Sequence, residues 1–158
     1  MKKLLLILFL VIVCCGEAKA ENAYTAIFET MTEEDYTALC RVVYIESAIA
    51  DCPDHVNIAV VETVLNRVLA DEFPNTIRGV CKQTGQFVYK EVPAMSTATA
   101  EAIQYVKENG MTVLPDYDYC YFATKKQSLG KDHVWIGGRH ADGRPLKGKG
   151  MYFCRGKR

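Results

Sequence analysis

The stretch LCRVVYIESAIA, residues 39–50, places one carboxylate, Glu46, inside an otherwise apolar run. At 100° per residue, Leu39, Val42 and Val43 share an arc with Glu46 in its middle, while Thr37, Arg41, Tyr44 and Ala48 fall opposite. An ionised carboxylate buried without a partner costs several kcal/mol, so such a group either pairs or takes up a proton. Desolvation by Val and Leu favours the protonated form, which suits a general acid. On helix geometry alone, a structural ion pair or cap and a catalytic acid both remain open.

A second apolar run, AVVETVLNRV, carries Glu62, Asn66 and Arg67. Val56, Ile58, Val60, Val61, Val64, Leu65, Val68 and Leu69 cover most of this helix, which reads as central. Glu62 and Asn66 lie on the narrow remaining stripe, one turn apart. Glu62 is expected to face water. Asn66 borders the apolar arc, where its amide would hold the first helix or a ligand, and Arg67 reads as structural. Other reactive types lack an activating context. Cys40 is mid-helix rather than at an N-terminus, His133 and His140 lie far along the chain, and no HExxH pair exists.

The elements that must position these residues follow from local signals. Thr32 with Asp35, and Glu33 and Glu34 between them, predicts a helix start, and the helix is expected to run to about Ala50. Asp51-Cys52-Pro53-Asp54 breaks it. A second helix spans about His55 to Ala70. DEFPNTI is a turn, with Pro74 opening a short helical turn. GVCKQTGQFVYKEV reads as a loop and short extended piece around Gly85, which is expected to supply a backbone conformation that larger residues resist. A third helix starts near Ser96 and stops at Asn109-Gly110. YCYFAT and GMYFC have strand composition. No internal repeat is visible, and the fold class is α+β, mostly α.

Residues 1–20 read as a signal peptide: Lys2 and Lys3, an apolar segment from Leu4 to Val13, then Ala18-Lys19-Ala20. The apolar segment is too short to span a bilayer. Val13 before Cys14 favours simple export over lipidation. The exported chain is then one domain over residues 32–158, preceded by a leader of uncertain order at 21–31, long enough to close a core unaided. From Glu21 to Gly130 there are 16 acidic and 8 basic side chains, and from Lys131 to Arg158 there are 2 and 8. The basic segment fits either an anionic or mixed-charge partner or a solvated tail. No nucleic-acid pattern accompanies it. Cys40, Cys52, Cys81, Cys120 and Cys154 remain after export. One or two disulfides are expected, and the spacings match no zinc pattern.

The order CRVVYIESAIA, AVVETVLNRV, FPNTIRGV and GQF resembles the SleB/CwlJ-type cell-wall hydrolases over about residues 33–92. CYFATKK and KGKGMYFCR are similar to the looser end of that pattern. There the family commonly carries an Ile-Gly-x-His-x-Phe ending, and Gly150 stands at the histidine's place. The resemblance implies a lysozyme-like helical domain with a few short strands. It also implies an exported enzyme that cuts the glycan strand of peptidoglycan between N-acetylmuramic acid and N-acetylglucosamine, as a lytic transglycosylase leaving 1,6-anhydro ends. Glu46 matches the family's catalytic glutamate. Gln86 would hydrogen-bond an N-acetyl group or the catalytic carboxyl. Asn66 would orient Glu46, and Tyr89 and Phe87 would stack on sugars, with a core plug the favoured role for Phe87. No cofactor or metal is implied. The partner is peptidoglycan, with no nucleic acid and no stable membrane insertion after signal removal. Two alternatives stand beside it: a non-catalytic wall-binding module using the basic segment and WIGGRH, and a Cys/His wall peptidase built on Cys40.

Overall fold

A computed structural model describes residues 22–47, 52–92, 96–125 and 132–155. The signal-peptide residues lie outside these. Among the described residues the chain forms α1 (Thr25–Thr30), α2 (Glu33–Glu46), α3 (Asp54–Leu69), α4 (Ile77–Lys82) and α5 (Thr97–Asn109). Three strands follow: β1 (Tyr119–Ala123), β2 (His133–Arg139) and β3 (Pro145–Arg155). This is the α+β, mostly helical class that the sequence implies. None of the described helices is long and apolar enough to cross a membrane.

Each helix boundary has a local cause. The Thr32 hydroxyl accepts from Asp35 N–H at 3.1 Å while the Asp35 carboxylate accepts from Thr32 N–H at 3.2 Å, a reciprocal box that starts α2. Among the described residues the helix runs to Glu46, and Ala50, its expected end, lies outside them. The Ser47 N–H and hydroxyl both turn back to the Val43 carbonyl, at 3.1 and 3.0 Å, closing the last turn. α4 opens at Ile77 rather than at Pro74, capped by Thr76, whose hydroxyl accepts from Gly79 N–H. Ser96 caps α5, and Gly110 ends it at φ +72°, a conformation that glycine adopts freely.

α3 is the axis of the core. Val56, Ala59, Val60, Val61, Val64 and Leu65 are fully buried on it, each worth roughly 1.5–3 kcal/mol for the larger side chains. α2 covers it with Leu39, Val42 and Val43, and α5 with Ala102, Ile103 and Val106. The expected leader is instead part of the fold. Tyr24 is fully buried ahead of α1, and its hydroxyl donates to Asn66 Oδ1 at 2.6 Å, while Phe28 joins the core.

The strands form an antiparallel sheet in the order β1-β3-β2. Phe122 pairs with Phe153, Val134 with Phe153, and Trp135 with Tyr152. The basic C-terminal segment is therefore not a solvated tail as far as residue 155; it supplies two of the three strands. Alternation along it puts Ile136, Met151 and Phe153 inward. A bulge between Tyr119 and Tyr121 breaks the register of the β1–β3 pair.

No disulfide joins Cys40, Cys52, Cys81, Cys120 or Cys154, contrary to the expected one or two bridges. All but Cys52 are buried in the packed interior or the sheet. There they behave as small apolar residues.

Candidate active site

Glu46 is the last residue of α2 and is half-buried. The backbone N–H of Val88 donates to its Oε1 at 2.9 Å. The carboxyl is thus tied to the segment that follows Gly85-Gln86, bringing together two motifs about forty residues apart in sequence. Gly85 lies at φ +76° with nothing within 4 Å of where a Cβ would stand, so its backbone conformation, not lack of space, asks for glycine there. The turn is closed by Gln86 N–H to the Gln83 carbonyl at 3.2 Å, and Gln86 is exposed beside it.

The residues after Gln86 alternate. Phe87 turns inward and packs at 5.8 Å from the Phe122 ring, which packs in turn at 5.5 Å from Phe153. That is the core-plug role favoured for it. Val88 is exposed and offers its N–H to Glu46. Tyr89 is partly buried; its hydroxyl accepts from Arg41 Nη1 at 3.2 Å, and Lys82 Nζ lies 5.4 Å from its ring centroid. Tyr89, Arg41, Lys82, Arg78 and Glu34 line a cavity of about 320 Å³, in which Arg78 pairs with Glu34. Glu46 is not among the residues lining it.

Beneath this segment lies Arg67. It is 3% exposed, and its Nε donates to the Cys120 carbonyl at 2.6 Å. The guanidinium centre sits 4.4 Å from the Phe87 ring centroid, 5.0 Å from Phe73 and 5.3 Å from Tyr121. Its Nη1 is buried without a hydrogen-bond partner among the described residues. Burial lowers its pKa, and the negative potential of Cys120, Tyr121, Cys81 and Glu46 works the other way. The structural role expected of Arg67 takes a specific form: a cation held among three aromatic rings, stacked on the residue next to the one that holds Glu46.

Glu62 does not face water. It is fully buried, and Oε1 accepts the N–H of Thr112 at 2.6 Å and of Val113 at 3.0 Å, while Oε2 accepts that of Leu114 at 2.7 Å. Burial raises its pKa, and these backbone donors pull it down only in part. Glu62 thereby fastens the chain leaving α5 onto α3 and offers no carboxylate to a substrate. Asn66 is likewise fully buried. Its Oδ1 accepts from Tyr24, and its Nδ2 donates to the Tyr119 carbonyl at 3.0 Å and the Asp116 carbonyl at 3.4 Å. Its amide is spent joining α1, α3 and the approach to β1 rather than orienting Glu46 or meeting a ligand.

Cys40 is buried, and that burial pushes its thiol up to about 11, the opposite of what an activated nucleophile needs. His133 lies on β2, with its ring 5.6 Å from that of Tyr152. Among the described residues no group of three His, Cys, Asp or Glu side chains converges to hold a metal.

Two solved structures share this architecture. The catalytic domain of the germination-specific lytic transglycosylase SleB from Bacillus anthracis matches at a TM-score of 0.57 with 23% identity, covering 80% of this chain and 98% of that one. The SleB catalytic domain from Bacillus cereus matches at 0.53 with 24% identity, covering 78% and 91%. No curated protein matches the chain. At these identities the likeness establishes the fold. The family described as Cell Wall Hydrolase matches residues 53–142, a span that begins beyond Glu46 and holds Glu62, Asn66, Arg67, Gln86, Phe87 and Tyr89. With more than half its length so matched, the chain belongs to the cell wall hydrolase family, of the SleB type, and is a cell-wall hydrolase.

Proposed function

We propose that the protein acts outside the cytoplasmic membrane as a lytic transglycosylase. In this reading it cleaves the bond between N-acetylmuramic acid and N-acetylglucosamine in peptidoglycan, with Glu46 as its single catalytic carboxyl. The observation that carries this reading is the tether between Glu46 and Val88 N–H at 2.9 Å, which holds a half-buried carboxyl beside the Gly85-Gln86 turn. Protonated Glu46 gives its proton to the glycosidic oxygen as an oxocarbenium-like centre develops. The carboxylate so formed takes the proton of the muramic acid's own 6-hydroxyl, whose oxygen attacks the anomeric carbon and closes the 1,6-anhydro ring. The glycosidic bond breaks, one ether bond forms, and Glu46 ends protonated as it began.

Because the attacking hydroxyl belongs to the same sugar, no enzyme nucleophile is required, and effective molarities for such attack reach about 10⁵ M or more. The burial of Glu62 supports a one-carboxyl scheme, since the other carboxylate borne by the paired motifs is sealed behind Thr112–Leu114. In this reading Gln86, which is exposed, would meet an N-acetyl group, and Tyr89, which lines the neighbouring cavity, a sugar face. Glu46→Gln tests the scheme. Turbidity of a sacculus suspension should fall with the wild type and stay constant with the variant, at matching circular dichroism. A folded Gln variant that still clears sacculi removes Glu46 from the mechanism.

A further inference from the structure

The outer face of the sheet carries a feature that the Glu46 chemistry does not use. Ile136, Met151 and Phe153 point into the core, so alternation sends Trp135 and its cross-strand partner Tyr152 to the opposite face, where both are partly exposed. The Tyr152 ring meets Trp135 edge-on at 4.9 Å and His133 at 5.6 Å, giving a row of three rings. Next along this face both cross-strand partners are glycine, Gly137 opposite Gly150.

A Cβ on Gly150 would stand 2.6 Å from Gly137 Cα and 2.8 Å from Trp135 Cζ2, besides meeting the Ile136 carbonyl oxygen. The Trp135 Nε1 donates to the Gly138 carbonyl at 3.1 Å. The indole therefore lies along its own strand over the glycine pair, pinned at its nitrogen edge. The same contacts explain why glycine stands at 150, where the family pattern commonly has histidine: the indole occupies that space. The β2–β3 hairpin and its approach carry Arg139, Arg144, Lys147 and Lys149 against Asp132 and Asp142, and Asp142 is already paired with Arg144.

We propose that this face is a second saccharide-binding surface, on which a carboxylate-bearing strand of N-acetylated sugars stacks a pyranose ring on Trp135, with Tyr152 at its edge, and sets its anionic groups among the hairpin cations. A fixed indole offers apolar area at little entropic cost, and the net positive charge of the hairpin complements the strand. The surface is distinct from the Glu46 site because Phe122 and Phe153, on which the Glu46-bearing side packs through Phe87, occupy the sheet's other face. It rests on the reading of the glycan strand as substrate, and its use would be to keep the enzyme on an insoluble polymer between cuts.

Trp135 is the sole tryptophan, so indole emission reports on this surface alone. A soluble N-acetylglucosamine–N-acetylmuramic acid oligosaccharide titrated into Glu46→Gln should change that emission saturably. It should also lower acrylamide quenching about twofold, as a stacked ring shields the indole. Binding heat measured in parallel with no change in emission or quenching places the strand elsewhere and overturns the proposal, as does the absence of any binding heat. In the same background, Trp135→Leu should reduce co-sedimentation with sacculi about fivefold, the loss of roughly one aromatic contact; undiminished sedimentation of a folded variant also overturns it. Clearing of sacculi by the wild type reports on the catalytic reading separately, so lysis with a silent indole sinks this inference alone.

Discussion

Position 46 joins two requirements that are hard to meet together: a carboxyl must be shielded enough to act as an acid, yet reachable by a sugar–sugar link. In the proposed scheme Glu46 has to meet both, and it stands half-buried at the end of α2 with one oxygen held by Val88 N–H. A positioned general acid contributes about 10²–10⁴-fold, so Glu46→Gln should lose at least that much rate in a sacculus-clearing assay. Gln86, exposed beside it, should behave differently: Gln86→Ala is expected to raise KM more than it lowers kcat, because it removes a contact made before the chemistry. The thiols should be dispensable. Cys40, Cys81 and Cys120 are buried, with burial pushing them to about 11, 12 and 11, so iodoacetamide at neutral pH should leave lysis intact. At this scale the half-burial of Glu46 was legible, because it falls within an apolar arc of its helix. Glu62 was not, because its partners are backbone N–H groups of Thr112, Val113 and Leu114, which no side-chain pattern announces.

The elements carry the site by a chain of contacts that starts in α3. Arg67 stacks under Phe87, Phe87 leans on Phe122 of β1, and the next backbone N–H after Phe87 holds Glu46. Arg67→Met should therefore loosen the 86–89 segment. We expect kcat to fall about tenfold or more in protein that remains folded, with KM little changed. A kcat equal to wild type would show that Arg67 only stabilises. Glu62 governs a different junction. Replacing it with Ala leaves three buried N–H groups unpaired, and denaturant unfolding should show a loss of about 3 kcal/mol or more. Since burial holds the Glu62 carboxyl above its ordinary value, its contribution is full below the unfolded value and declines as pH rises through the folded one. The stability gap between wild type and Glu62→Gln should accordingly narrow as pH rises above the ordinary carboxyl range of about 4. Helix starts at Thr32 and Ser96, the stop at Gly110 and the centrality of α3 could all be read from caps and periodicity. α1 and β2 could not. Six residues of helix give too short a periodic signal, and HVWIGGR becomes a strand through its pairing with β3.

Over the whole molecule, a helical body built on α3 is closed by a sheet whose last two strands come from the basic C-terminal segment. Arg139, Arg144, Lys147, Lys149 and Arg155 of that segment belong to its strands and the turn between them, and retention of Glu46→Gln on sacculi should weaken as salt rises from low to physiological concentration. Retention unaffected by salt would mean that those cations do not face the polymer. The most direct test of the account is the origin of the oxygen that closes the cut. Sacculi digested by the wild type in heavy-oxygen water should release muropeptides one water lighter than hydrolysis products, with 1,6-anhydro ends and no label at the new terminus. Labelled reducing ends would show that water, not the sugar's own hydroxyl, attacks, and that a single carboxyl working with its substrate is the wrong description of this site.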